Sequence, residues 1–233
     1  MVGAAALALA AAAALLHVAW PVPQQRAWAL LTIAGTILFL ALREVAHLIP
    51  LHGLTRPAWN WSGHLLAFAG MLVLAGQLSR RAALTPREFG FVLPESLGTA
   101  VAVGATALLL SYGIHTMIGG TPERIPASTW LFLAIVPGPV EEVAFRGVLL
   151  AAAERAAPAS RRVAGVPVSI GATLLTAAFI GLHGLGLGQL VSVLPAALLY
   201  LWLRLKTGSV LVPIVAHNLW NLTVLVAHAD GQN

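Results

Sequence analysis

Pro137-Gly138-Pro139-Val140-Glu141-Glu142-Val143-Ala144-Phe145-Arg146 places two adjacent carboxylates and a guanidinium inside a run, 128–150, otherwise apolar enough to cross a membrane. A charged side chain at bilayer depth costs about 3 kcal/mol or more unless it is paired or solvated. Residues so expensive in that setting point to a function. The two prolines and the glycine predict a break or kink just before the carboxylates, with a helix restarting near Pro139. Glu141 and Glu142 are then expected in its first turn, where the positive end of the helix dipole favours an ionised acid. Glu142 and Arg146, spaced i, i+4, are expected to pair on one face. Glu141 points about 100° away and is left free.

Working outward, the rest of the 233-residue chain is equally apolar: 59% of residues are hydrophobic and 9% charged. Its mean hydropathy is +0.88. Soluble domains carry roughly 25% charged residues, so the composition is that of a polytopic membrane protein. Eight spans are expected, at about 3–20, 27–49, 61–78, 97–118, 128–150, 167–183, 187–204 and 209–228. Pro, Gly, Arg and Trp hold the turns, and Trp20, Trp28, Trp59, Trp61, Trp130 and Trp202 fall near span ends, as an aromatic belt requires. The fold class is therefore all-α, a transmembrane helical bundle forming a single integral-membrane domain over 1–233. Within it 128–228 is the expected catalytic core and the spans over 3–118 are accessory. The first run, 3–20, lacks a basic start and is expected to be a retained helix rather than a cleaved leader.

The net charge of +5 does not indicate nucleic-acid binding, because the basic residues sit in short loops with no recognition motif. Odd-numbered loops carry Arg26, then Arg80, Arg81 and Arg87, then Arg155, Arg161 and Arg162, then Arg204 and Lys206. Even-numbered loops carry only Arg56 and Arg124. The positive-inside rule puts the odd loops in the cytoplasm and both termini outside it. The chain has no cysteine, which removes disulfides, thiol nucleophiles and Cys-based metal sites. Gly184, Gly186 and Gly188 form a tight turn and not a dinucleotide fingerprint, since no strand precedes them.

Two later spans add Phe179 and His183, then His217 and Asn221, each pair at i, i+4. Taken singly these have ordinary readings. The acids can simply tie helices together, His183 can be an interfacial hydrogen-bonding residue, and His217 with Asn221 can make an interhelical bond worth about 0.6 kcal/mol. Taken together they meet the needs of water-driven amide hydrolysis: a base for water, donors for the oxyanion and an acid for the leaving amine. Glu141 with His183 can activate the water, and His217 with Asn221 can hold the oxyanion. Glu141, His183 and His217 could instead ligate a divalent metal such as zinc, although H-E-x-x-H is absent. Arg43, Glu44 and His47 could contact substrate, but a snorkelling, paired cluster at the interface is the expectation. His17, His52, His64, His115 and His228 are expected at interfaces.

Glu141-Glu142-x-x-x-Arg146, Phe179-x-x-x-His183 and His217-x-x-x-Asn221 follow one another in order, the last after Leu203-Arg204-Leu205-Lys206-Thr207-Gly208-Ser209. This pattern resembles the CAAX protease and bacteriocin-processing (CPBP, or Abi) family of intramembrane proteases, which includes the type II prenyl-protein proteases. The resemblance runs from Trp130 to about Val226. It implies a helical membrane endopeptidase, of glutamic or metallo type, with its site in a cavity open to lipid or cytoplasm. Glu141 would be the water-activating glutamate assisted by His183, with His217 and Asn221 at the oxyanion. Glu142, Arg146 and Phe179 would support the site. The implied partners are the bilayer and a membrane-associated protein or peptide substrate, cut near its C-terminus, in a bacterial cytoplasmic membrane. An immunity or chaperone-like protein on the same scaffold would tolerate an empty motif position, and here each is filled. A proton-coupled transporter would show two halves with paired broken helices, and one Pro-Gly break is present.

Overall fold

The computed structural model describes residues 2–45, 60–95, 97–118 and 126–230. His47, His52, Arg56, Trp59 and Arg124 lie outside the described residues, as does the side chain of His228. Ten α-helices, one π-helical turn and one β-hairpin are present among the described residues. They are α1 (Val2–Ala19), α2 (Pro23–Val45), α3 (Trp61–Ala82), α4 (Gly98–Ile118), α5 (Ala127–Ile135), α6 (Pro137–Glu142), π1 (Val143–Val148), α7 (Leu149–Ala156), β1 (Ser160–Val163), β2 (Val166–Ser169), α8 (Ile170–His183), α9 (Leu187–Thr207) and α10 (Leu211–Asp230). The all-α bundle is observed, with a short hairpin added to it. Pro23–Glu44, Trp61–Ala82, Gly98–Thr116 and Leu187–Thr207 are long and apolar enough to cross a membrane. Ala6–Ala19, Ile170–His183 and Leu211–Ala227 are shorter apolar helices, and the fifth expected span is interrupted. Large apolar side chains such as Val73, Leu109 and Leu198 are exposed, as lipid-facing positions must be.

Helix ends follow local chemistry. Asn60 caps α3 by accepting from the Gly63 N–H at 2.9 Å. Ser169 caps α8 through the Ala172 N–H, and Gly208, at φ 69°, ends α9 in the left-handed conformation. The sixth span begins later than expected. Val166–Ser169 is a strand paired with Ser160–Val163 across Ala164 and Gly165, both at positive φ, so the helix starts only at Ile170. Such a turn forms a hairpin wherever flanking residues can pair.

The fifth span is the most irregular. Pro137 opens α6 at its first position, where a missing N–H costs nothing. Pro139 removes a further donor, and the Gly138 N–H turns instead to Asn218 Oδ1 of α10 at 2.9 Å. A Cβ at Gly138 would lie 2.4 Å from that oxygen, so the close approach needs glycine. Because the helix restarts at Pro137 and not Pro139, Glu141 and Glu142 lie past its first turn. The expected help from the helix dipole is therefore lost, since that effect fades within one turn. Side chains surround the acids instead, Arg146 and His217 at Glu142 and His183 at Glu141. After Glu142 the backbone widens into π1, and the Arg146 carbonyl accepts from Arg204 Nε of α9 at 2.9 Å.

Packing locks this segment at the centre. α2 and α3 lie against α7, π1 and α6; α10 lies against α5 and α6; α8 and α9 close the remaining side. Phe39, Met71, Phe132, Phe145, Leu149, Phe179 and Leu201 form the shared core. α7 and α8 touch at Gly171, where an added Cβ would meet the Ala153 carbonyl at 1.9 Å. Small residues allow such contact between membrane helices, which lack a hydrophobic drive to associate.

Candidate active site

Glu142 is fully buried, and its Oε2 lies 3.3 Å from Arg146 Nε, the expected i, i+4 ion pair. Its other oxygen faces α10: His217 Nδ1 is 2.8 Å from Glu142 Oε1. Against an ionised carboxylate this nitrogen must carry the proton. Tyr200 of α9 stacks on the His217 ring at 4.8 Å with an interplanar angle of 16°. Arg146 also donates to the Ala197 carbonyl at 3.1 Å and lies 4.1 Å over the Phe179 ring. An ion pair this buried persists only when further hydrogen bonds and ring faces share the desolvation cost.

Glu141 faces the other way, toward α8. Its Oε2 is 3.5 Å from His183 Nε2, while His183 Nδ1 is held by the Phe179 carbonyl at 2.8 Å. A carbonyl can only accept, so Nδ1 of His183 is protonated and Nε2 is the nitrogen free to exchange a proton with Glu141. The separation exceeds an aligned hydrogen bond, and Glu141 Oε2 is buried without a hydrogen-bond partner. Among the described residues Glu142 Oε2 likewise has an ionic contact but no hydrogen-bond partner. Phe179 also packs against the His183 ring at 4.4 Å.

Glu141, Glu142, Arg146, Phe179, His183 and His217 are thus brought together from three separate segments. Asn221 follows His217 one turn along α10; it is half-buried and its side chain forms no hydrogen bond with the described residues. Several contributors carry no clear sequence signal. His64 of α3, expected at an interface, is within electrostatic reach of Glu141, with its Nδ1 2.7 Å from the Asn60 carbonyl. Tyr200, Asn218 and Arg204 each act through a partner on another helix, which no spacing along one chain reveals. The expected cluster of Arg43, Glu44 and His47 is described only in part: Arg43 Nε lies 3.2 Å from Glu44 Oε1.

The three candidate metal ligands do not form a metal cluster. Among the described residues no group of three His, Asp or Glu side chains is arranged to hold an ion. His217 has its Nδ1 committed to Glu142.

The apolar helices and the buried acid–histidine cluster are those of an integral membrane protein with ionisable groups at its centre. Residues 123–223 match the family model described as type II CAAX prenyl endopeptidase Rce1-like, so this part of the chain is similar to that family. The match covers both acids, both histidines and Asn221. No curated protein and no solved structure matches the chain.

Proposed function

We propose that this protein is an intramembrane endopeptidase that hydrolyses a peptide bond of a membrane-associated protein or peptide by direct attack of water. The observation that carries this reading is the division of labour between neighbouring carboxylates. Glu142 has two ionic partners, Arg146 at Oε2 and His217 at Oε1, whereas Glu141 faces the partly exposed His183 at 3.5 Å.

Glu141 takes the proton from water as the oxygen attacks the scissile carbonyl, and His183 Nε2 shares that proton. His217, whose Nδ1–H is held by Glu142, presents Nε2 toward the substrate. Its ring, held in orientation by Glu142, donates to the developing oxyanion. Asn221, one turn away, supplies the second donor through its amide. The proton gathered by Glu141 and His183 then passes to the leaving amine. No step passes through a metal ion. The low-dielectric surroundings strengthen each of these interactions.

Purified protein in liposomes, given membrane-anchored peptides in water enriched in heavy oxygen, tests the reading. It predicts cleavage with one labelled oxygen in the new carboxylate, unchanged after chelator treatment. Absence of hydrolysis across such peptides would refute it. Activity lost to the chelator and restored by zinc would replace the glutamate scheme with a metal one.

A further inference from the structure

The two ends of the bundle differ in charge and in access to the site. At one end the segments bearing the basic loops join. Arg155 donates to Glu88 at 2.5 Å and to the Ala82 carbonyl at 3.4 Å, and it stands 5.0 Å over the Trp28 ring. Arg204 donates to the Glu88 carbonyl at 2.8 Å. Loops after α1, α3, α7 and α9 therefore share one end of the molecule. These loops and the helix ends that flank them hold Arg26, Arg80, Arg81, Arg87, Arg155, Arg161, Arg162, Arg204 and Lys206. Among the described residues the opposite end carries Arg43, near the end of α2.

The site is floored at the basic end. The segment after α3 is tied under it: the Val210 N–H donates to the Gly90 carbonyl at 2.9 Å, Ser209 Oγ to the Val92 carbonyl at 2.5 Å, and Arg204 Nε to the Arg146 carbonyl. Phe89, Arg146 and Thr207 in this floor are each 1% exposed or less. Exposure rises toward the other end. Glu142 is at 0% and Glu141 at 7%, while the His183 side chain, at the last position of α8, reaches 32%. Beyond it Leu185, Gly186 and Leu187 are exposed. Arg43, whose carbonyl accepts from Asn60 Nδ2 at 2.6 Å, and His64 mark the same end.

We infer that the reaction chamber opens at the end remote from the basic loops and so faces the non-cytoplasmic side of the membrane. Basic residues in short loops are retained in the cytoplasm, which fixes the floor inside and the mouth outside. Resting on the peptidase reading above, this names the substrate class: a membrane-anchored protein segment already carried across the bilayer. A cytoplasmic prenylated C-terminus would meet the floor instead. The direction differs from the lipid- or cytoplasm-facing cavity that the sequence resemblance implies.

The absence of native cysteine makes a direct test simple. Gly186→Cys lies beside the mouth with nothing within 4 Å of the added Cβ, and Arg162→Cys lies on the exposed hairpin at the basic end. In intact spheroplasts a membrane-impermeant maleimide is expected to label Gly186→Cys fully, and to label Arg162→Cys only after lysis. Gly188→Cys and Arg87→Cys form a second pair should either first variant fail to accumulate. Labelling of the basic-end cysteines in intact spheroplasts, or of the mouth cysteines only after lysis, overturns the inference. Because labelling needs no turnover, that outcome leaves the peptidase reading standing, whereas loss of hydrolysis leaves the orientation standing.

Discussion

His217 holds its Nδ1 2.8 Å from Glu142 Oε1, across 75 positions of sequence, while Glu142 keeps Arg146 at its other oxygen. In the proposed mechanism the second carboxylate of the pair orients the histidine assigned to the oxyanion, and Glu141 is left to activate water. Glu142→Gln preserves the shape but turns a charge-assisted bond into a neutral one. A fall in kcat of about 10–100-fold with KM little changed is expected, together with a shift in the pH profile, measured as peptide cleavage in liposomes. A rise in KM alone would assign Glu142 to substrate binding.

Arg146→Met removes the cation and leaves Glu142 buried beside a single partner. Breaking a buried pair from one side costs about 3–5 kcal/mol, so a marked drop in the thermal midpoint in detergent is expected. Combining it with Glu142→Gln should recover much of the loss. If the double variant is as unstable as the sum of the single variants, the two residues do not act as a pair.

Asn221→Ala tests the other donor. The Asn221 side chain forms no hydrogen bond with the described residues, so the fold should be unaffected. Loss of one oxyanion donor lowers kcat by about 10²–10³-fold. Cleavage at the parental rate would remove Asn221 from the site.

At the basic end, Glu88 lies in a loop outside the spans. Burial pushes its carboxyl up, but bonds from the Thr85 N–H and hydroxyl and from Arg155 outweigh this, and its pKa is below the ordinary 4.5. The folded chain therefore releases this proton more readily than the unfolded one. The stability gained is complete above about 4.5 and is lost as pH falls through the lower, folded value. Solvent screening keeps the effect small. Melting in detergent across acidic pH should show a shallower decline for Glu88→Gln than for the parent; a steeper decline would reverse the sign.

The acid–arginine pair and the three motifs were legible in the sequence because i, i+4 spacing converts directly into a shared helix face. The apolar runs likewise located the helices to within a few residues. What stayed hidden depends on packing between helices. Tyr200 meets His217, Asn218 meets Gly138, and Arg204 meets the Arg146 carbonyl, each across a gap in sequence that no periodicity encodes. The restart at Pro137 was misplaced by two residues because two prolines compete for the first helical position, and Asn218 decides between them by taking the Gly138 N–H. The hairpin over 160–169 was concealed because Val166–Ser169 is apolar enough to read as the start of a span.

Glu141 is the group on which the proposed chemistry turns. The decisive measurement is the cleavage rate of purified Glu141→Gln in liposomes, with its melting curve recorded beside the parent's. An amide cannot take a proton from water, so cleavage is expected to vanish while the melting transition stays cooperative. Cleavage at the parental rate by the folded variant would contradict the assignment of Glu141 as the base.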